Sequence, residues 1–160
     1  MLNGERFVAH EHAFRGCVKR RGEYPGAKPS IMGAAFNPMI ATVIPVLNEG
    51  THIGACLDSL IQQTYPASQH SIMVLDGGST DETAKEVEAA ILRSTRADGP
   101  KIEFHSNPGR FVAEGRNLAL KMIPDSVTHM LELIGHSTVK PDHITALVEE
   151  WNRISEIESR

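Results

Sequence analysis

The chain has 160 residues, a formal net charge of −4, 41% hydrophobic residues and 22% charged residues. This is the length of one domain, and a hydrophobic content in the globular range excludes wholesale disorder. The small net charge, without a long run of one sign, excludes nucleic acid as a general partner. No apolar run reaches the length of a transmembrane helix, so we expect no membrane span in this chain and a cytoplasmic, at most membrane-peripheral, location.

Residues 1–38 differ from the rest of the chain, because they hold scattered glycine, proline, arginine and histidine without a sustained hydrophobic period. Turn signals at 24–26 and 28–30 interrupt them. We interpret residues 1–38 as a poorly ordered N-terminal extension and residues 39–160 as the folded part.

From residue 39 onward, short β-rich apolar runs alternate with segments of helical, 3.6-residue spacing. The predicted strands cover 39–46, 71–75, 101–105 and 128–134, and a helix follows each of them. This alternation predicts an α/β fold of Rossmann-like type, with a mostly parallel sheet and helices on both faces. Ligands of such sheets bind beyond the carboxyl ends of the strands, so functional residues are expected there.

The first strand ends in Pro45-Val46, and Asn48 and Glu49 follow it. This order places two polar side chains at the mouth of the sheet. The alternative is that Asn48 only caps the following helix, a position at which asparagine is common.

The second strand ends at an acidic, glycine-rich turn that begins with Asp76. A carboxylate at a strand end can accept hydrogen bonds from a ribose or a base, and Gly78 lets a ligand approach the backbone closely. Residues 79–82 have the spacing of a capping box with Ser79 as the N-cap. The alternative is a plain strand-to-helix turn that binds no ligand.

Two further polar signals follow the third and fourth strands. Arg116 and Asn117 lie in the third helix, where an arginine can hold a diphosphate through charge-assisted hydrogen bonds. The alternative is an exposed arginine on a solvated helix face. His136 comes just after the fourth strand, where it is either a metal ligand or an ordinary loop histidine.

Taken together, these motifs resemble family 2 glycosyltransferases. The similar elements are the opening strand at 41–49, the first helix at 56–66, the acidic turn at 74–83 and the Asn…Ala-Arg-Asn element at 107–117. Gly115 stands in place of the alanine of that last element. The resemblance covers residues 41–144, and Glu-Leu-Ile-Gly-His-Ser at 132–137 is most similar to the metal motif of exopolysaccharide or succinoglycan-type members.

The resemblance implies a GT-A fold and the transfer of a sugar, with inversion, from a UDP- or GDP-linked donor. It implies an acceptor that is a saccharide or a lipid-linked saccharide, as in polysaccharide biosynthesis. The residues that it assigns to nucleotide-sugar binding are Pro45, Val46, Asn48, Glu49, Asp76, Gly78, Arg116 and Asn117.

Two departures from the family pattern bear on activity. The family's metal motif begins with an aspartate that holds Mg²⁺ or Mn²⁺, and Ile134 stands at that position. His136 is left as the single predicted metal ligand, although Mg²⁺ prefers oxygen ligands. The chain also stops before the region in which the family carries its catalytic base, so no catalytic residue is assigned. We expect a truncated, nucleotide-binding half. Either it is a fragment of a longer protein, or a homo-oligomer or another partner supplies the acceptor half, or the chain is not a catalyst.

Three functional hypotheses follow from the sequence. The first is a family 2 glycosyltransferase of hexosyltransferase type. The second is a non-catalytic nucleotide-binding or regulatory module on the same fold, so whether the chain is itself an enzyme depends on which of the two holds. The third, a dinucleotide-dependent oxidoreductase or a methyltransferase, is disfavoured because residues 45–50 lack the Gly-x-Gly-x-x-Gly turn of dinucleotide enzymes.

Overall fold

The structure is a computed structural model that describes residues 10–11, 14–19 and 38–158, with side chains from 38 to 154. Six strands and four helices make up these residues. In chain order they are β1 (His10–Glu11), β2 (Phe14–Lys19), β3 (Ile40–Val46), α1 (Ile53–Ile61), β4 (His70–Asp76), α2 (Thr83–Arg96), β5 (Lys101–Ser106), α3 (Val112–Met122), β6 (His129–Leu133) and α4 (His143–Glu158). A short 3₁₀ helix, Ala67–Gln69, precedes β4.

The six strands form one sheet in the order β1-β2-β6-β3-β4-β5. β6, β3, β4 and β5 are mutually parallel, which confirms the predicted Rossmann-like, mostly parallel sheet. The register pairs Val46 with Asp76 and Asp76 with Ser106. The carboxyl ends of β3, β4 and β5 therefore lie level with one another, and the turns that follow them start from a common edge.

β3 lies inside the sheet, and all seven of its residues are buried, as expected of a parallel strand that is covered on both faces. On one face Ile44 packs in an apolar cluster with residues of α1 and α2. On the opposite face Val43 packs with Ala119 of α3. A third cluster joins Ile40 to Ile144 of α4. Burial of each large apolar side chain of this kind contributes about 1.5–3 kcal/mol, so the strand that carries the first polar turn is held firmly.

The sequence did not predict β1 and β2, which lie within the interpreted extension. β2 pairs antiparallel with β6, from Phe14 opposite Leu133 to Lys19 opposite His129, and its register shifts between Phe14 and Cys17. A bulge of this kind breaks the two-residue period by which a strand is recognised in a sequence. The other residues of 1–38, apart from Pro38 itself, lie outside the described part of the chain, and the domain boundary near residue 38 stays a prediction.

The predicted capping box at the start of α2 is wrong. The helix begins at Thr83, and the Ser79 hydroxyl is used elsewhere, because it donates to Asp76 Oδ1. Asp81, which precedes the N-cap Glu82, accepts a hydrogen bond from the first helical N–H instead, with its Oδ1 3.0 Å from the Thr83 backbone nitrogen. None of the helices in the described part of the chain is long and apolar enough to cross a membrane.

Candidate functional site

The order of the parallel strands reverses at β3, because β4 and β5 follow on one side of it and β6 lies on the other. In open α/β sheets a ligand crevice forms at such a point, beyond the carboxyl ends of the strands. The residues that follow β3, β4 and β6 are therefore the ones to inspect for function.

The turns after β3 and β4 are locked together by side-chain hydrogen bonds. The Asn48 backbone N–H donates to Ser79 Oγ at 2.8 Å, and Asn48 Oδ1 accepts a hydrogen bond from the Thr80 N–H at 2.9 Å. Ser79 in turn donates its backbone N–H to both oxygens of Asp76, at 3.1 Å each. Asn48 and Asp76, which are 28 residues apart in the sequence, are thus joined through one serine, and the carboxylate is fixed at the edge of the sheet.

A second set of hydrogen bonds ties the same turn to the start of α2. The Glu49 N–H donates to Thr83 Oγ1 and the Gly50 N–H donates to Asp81 Oδ2, both at 2.9 Å. The hydrogen bond from the Thr83 hydroxyl, followed by those from backbone N–H groups, lowers the pKa of Asp81 below its ordinary value. Asp81 is therefore held by the turn itself and serves it structurally.

Left-handed backbone conformations surround Asp76. Asn48 has φ 56°, Gly78 has φ 87° and Arg110 has φ 63°. Non-glycine residues rarely adopt positive φ, and such residues cluster at ligand-binding sites where the surrounding structure holds them. Gly78 also has open space around its α-carbon, as the sequence-based expectation of a close backbone approach requires.

Glu49 and His136 meet across the point where the strand order reverses. His136 Nδ1 lies 2.9 Å from Glu49 Oε1, and the two side chains are 53% and 21% exposed. Gly135 permits this approach, because a β-carbon there would lie 3.0 Å from both Glu49 Cγ and Val46 Cγ1. The Glu49 carboxylate, predicted to contact the nucleotide, therefore already carries one partner.

The residues at the end of β6 do not fit a divalent cation. Ile134 offers no side-chain ligand, and its carbonyl oxygen accepts a hydrogen bond from the Ser137 N–H at 3.0 Å. His136 is within hydrogen-bonding distance of one carboxylate, that of Glu49, among the described residues. Within the described ranges, no three His, Cys, Asp or Glu side chains are grouped so that they could hold a metal. The described residues therefore offer no complete ligand set for the predicted Mg²⁺ or Mn²⁺, of which His136 was the predicted ligand.

Arg116 is paired with a buried carboxylate on the sheet. Its Nη2 donates to Glu132 Oε1, and the Glu132 side chain is only 4% exposed against 33% for Arg116. Asn117, the next residue of α3, is exposed. The predicted contact of Arg116 and Asn117 with a diphosphate stays a prediction, and the structure adds that the charge of Arg116 is already matched by Glu132.

The position of Pro45 explains why Gly115 stands in place of the alanine of the family's Asn…Ala-Arg-Asn element. A β-carbon at Gly115 would lie 3.3 Å from Pro45 Cβ and 3.1 Å from Asn107 Nδ2. Asn107 is buried, donates its side-chain N–H to the Phe111 carbonyl at 3.1 Å, and donates its backbone N–H to the Asp76 carbonyl at 2.7 Å. Glycine at 115 thus leaves room for the proline at the end of β3 and for the asparagine that braces the acidic turn.

The structure brings most of the predicted site residues to one edge of the sheet. Those at the ends or in the turns of the parallel strands are Pro45, Val46, Asn48, Glu49, Asp76, Gly78 and His136. Two relevant residues were missed, Glu132 and Arg110. An acidic residue inside the buried strand β6 was the available signal for Glu132, because a buried charge requires a partner. No local sequence signal marked Arg110, because its position depends on the packing of two turns.

Comparison with known proteins bears on the function of this site. The sequence profile of the family described as Glycosyl transferase family 2 matches residues 42–156. The Succinoglycan biosynthesis protein ExoA of Rhizobium meliloti (strain 1021) is 31% identical over 108 residues, which are 68% of this chain and 31% of that protein. The Chondroitin synthase of Escherichia coli is 23% identical over 116 residues, which are 72% of this chain and 16% of that protein.

Solved structures share the fold. The S. aureus protein TarS, in a crystal structure of its complex with UDP, has a TM-score of 0.56 and 21% sequence identity over 69% of this chain and 31% of that one. The same protein in complex with UDP-GlcNAc also has a TM-score of 0.56. The chain spans about a third of the length of TarS 1-349 and of the Rhizobium relative. The likeness confirms the predicted α/β fold class.

Proposed function

The chain belongs to glycosyl transferase family 2, and from that membership we propose that the edge formed by the turns after β3, β4 and β6 binds a nucleoside diphosphate sugar. The reaction that this binding serves is transfer of the sugar to an acceptor hydroxyl with inversion at the anomeric carbon. The acceptor is a saccharide or a lipid-linked saccharide, and the location is cytoplasmic. Only donor binding is assigned to the residues of this chain.

The observation that carries the proposal is the lock between Asn48, Ser79 and Asp76. It holds a carboxylate at the carboxyl edge of the sheet, beside a left-handed Gly78 with open space around it. A carboxylate has room for about four hydrogen bonds, and Ser79 supplies two donors to Asp76, its hydroxyl and a backbone N–H shared between the two oxygens. The remaining capacity suits a ribose hydroxyl or a base N–H, and the ordered turn lowers the entropy lost on binding.

Pro45 and Val46 complete the proposed nucleotide pocket as its apolar wall, because they end the strand from which the first turn starts. Glu49 reaches the same edge and is oriented by His136 at 2.9 Å. We assign Glu49 to a polar contact with the nucleoside through its second carboxylate oxygen. Arg116 and Asn117 remain proposed contacts on the α3 side.

In the transfer step, a bond forms between the acceptor oxygen and the anomeric carbon while the bond from that carbon to the diphosphate oxygen breaks. The acceptor proton passes to a base, and the nucleoside diphosphate leaves with the bonding electrons. The residues of this chain bind and orient the donor for that step. Ile134 and the His136–Glu49 pair do not form a site that fits a divalent metal ion.

Isothermal titration calorimetry with UDP, GDP and their sugars tests donor binding. We expect saturable binding of one nucleotide family at micromolar to millimolar concentration, with the free nucleoside weaker than its diphosphate. Folded protein that shows no heat and no NMR shift with any of these ligands at millimolar concentration would remove the proposal.

A second candidate function is a non-catalytic nucleotide-binding or regulatory module. Two observations favour it. Ile134 gives no carboxylate for a metal ion at the donor phosphates, and Arg116 is already paired with Glu132. A module of this kind binds nucleotide but neither hydrolyses the donor nor transfers its sugar. Release of UDP or GDP from a nucleotide sugar by purified chain, above the rate of an Asp76→Ala variant, would exclude it.

A further inference from the structure

Arg110 is anchored directly against the acidic turn after β4. A β-carbon on Gly77 would lie 2.8 Å from the Arg110 carbonyl oxygen and 3.2 Å from its α-carbon. The Arg110 N–H donates to the Asn107 carbonyl at 2.9 Å, and Asn107 is itself bonded to the Asp76 carbonyl at 2.7 Å. The backbone of Arg110 therefore has a fixed place beside Asp76, although the two residues follow different strands.

The conformation of Arg110 is unusual for its residue type. Its φ of 63° lies in the left-handed region, which disfavours a residue with a β-carbon by about 1–2 kcal/mol. Asn48, on the other side of Asp76, shares this conformation with φ 56°. Asn48 and Arg110 follow β3 and β5, the strands on either side of β4, and residues in this conformation are often found at ligand-binding sites.

The Arg110 guanidinium is exposed, and no carboxylate in the described part of the chain pairs with it. Arg93 and Arg116, by contrast, are matched: Arg93 lies 2.8 Å from Asp58, and Arg116 is bonded to Glu132. The acidic edge of the sheet thus has one arginine beside it whose charge is not already neutralised by a side chain.

A bound nucleoside diphosphate brings negative charge to this edge, and the residues here do not supply a cation site. Arginine answers that need better than lysine, because its planar fork donates two parallel hydrogen bonds to phosphate oxygens. We infer that Arg110 binds the phosphates of the nucleotide donor beside Asp76, while Arg116 chiefly neutralises Glu132. This inference rests on the proposed nucleotide-binding function of the same edge.

The test compares Arg110→Gln with Arg96→Gln by calorimetry with UDP or GDP, whichever the wild type binds, and by NMR titration with the free nucleoside. Arg96 is the matched control, because it is an exposed arginine at the end of α2, away from the carboxyl edge. We expect Arg110→Gln to weaken diphosphate binding about ten- to a hundredfold and to leave nucleoside binding unchanged. Arg96→Gln should change neither affinity.

A second variant guards against loss of folding. Arg110→Lys keeps the charge and loses the fork, so its affinity for the diphosphate should fall between wild type and Arg110→Gln. Wild-type diphosphate affinity in Arg110→Gln would overturn the inference and leave the proposed function standing. Equal losses for nucleoside and diphosphate would also overturn it, because Arg110 would then only support the turn. Failure of the wild type to bind any nucleotide would overturn the proposed function itself, and the inference with it.

Discussion

A β-carbon placed on Gly77 would lie 2.8 Å from the carbonyl oxygen of Arg110. The two residues belong to the turns after β4 and β5, and the contact is with backbone, which cannot rotate away. The Gly77 N–H is also committed, because it donates to the Val46 carbonyl at 2.9 Å. Gly77 therefore lets three strand ends meet at one edge of the sheet.

We predict that Gly77→Ala separates these turns. The substitution should lower the free energy of unfolding by about 1–3 kcal/mol, as overpacking does, and should weaken nucleotide binding. Urea unfolding and calorimetry measure the two effects. Gly54→Ala in α1 is the control: its new β-carbon meets only the mobile end of Glu86 at 3.0 Å, and alanine favours a helix over glycine by about 0.5–1 kcal/mol. Equal loss of stability in both variants would contradict the assigned contact.

Asp76→Ala should weaken nucleotide binding by about 1–3 kcal/mol, the expected loss for a good hydrogen-bonding partner. The variant also frees Ser79 and Asn48, so its thermal stability has to be measured beside its affinity. Asp58→Ala is the matched control, since Asp58 is a half-exposed aspartate bonded to Arg93 at 2.8 Å on α1. Unchanged affinity in folded Asp76→Ala would show that the pocket assignment is wrong.

Arg116→Ala should destabilise the fold by about 3–5 kcal/mol, because it leaves the Glu132 carboxylate buried without its partner. The double variant Arg116→Met with Glu132→Leu should recover most of that loss. A double-mutant cycle by urea unfolding separates the pair from its parts. Arg153→Ala, which breaks an exposed pair with Glu150, serves as the control and should leave the midpoint unchanged. Arg116→Ala with wild-type stability would contradict the pairing.

Ile134→Asp should make nucleotide binding depend on a divalent cation, because it restores a carboxylate beside Glu49 and His136. We expect about tenfold tighter binding with Mn²⁺ than with EDTA in this variant. Ile134→Asn has the same shape without the charge and should show little of the effect. Equal affinities of Ile134→Asp in Mn²⁺ and in EDTA would show that the end of β6 is built differently from a metal loop.

His70 makes the stability of the fold depend on pH. Burial lowers the pKa of His70 to about 4, and its Nε2 lies 2.9 Å from Thr42 Oγ1 inside the sheet. Its pKa in the unfolded chain is about 6.5, so the unfolded state takes up the proton first as pH falls. Stability should be complete above pH ~6.5 and should fall by about 3 kcal/mol between pH ~6.5 and ~4. His70→Gln should flatten this part of the urea-unfolding profile, and an unchanged slope would contradict the assignment.

The order of strands and helices could be predicted from the sequence, because β3 and β4 are buried apolar runs and β5 alternates polar and apolar residues. A helix of clear 3.6-residue period follows each of the three strands. Their predicted ends agree with the structure to within about two residues, as expected for such boundaries. β2 could not be predicted, because a bulge and an arginine-glycine pair interrupt its alternation. The same limit applies wherever pairing with a distant strand, rather than local pattern, makes a segment extended.

Site residues that stand at strand ends were predictable by position, as Asn48, Asp76 and His136 show. Most of their partners were not, because the hydrogen bonds from Asn48 to residues 79–80 and between His136 and Glu49 join segments far apart in the chain. Ser79 illustrates this: its spacing predicted a helix cap, yet its hydroxyl serves Asp76 and Asn48. Arg110 is a second example. No local pattern marks it, because its position depends on the contact with Gly77.

The lock between Asn48 and residues 79–80 has a consequence for protein engineering. Backbone and side-chain atoms of Asn48 both take part in it, so the loop after β3 is not a module that can be exchanged alone. A chimera with a relative would have to carry the loops after β3 and β4 from the same parent. Otherwise it would lose the hydrogen bonds that join the two loops. The smallest exchange that keeps these contacts replaces the two loops together and retains Asn107, which donates its backbone N–H to the Asp76 carbonyl.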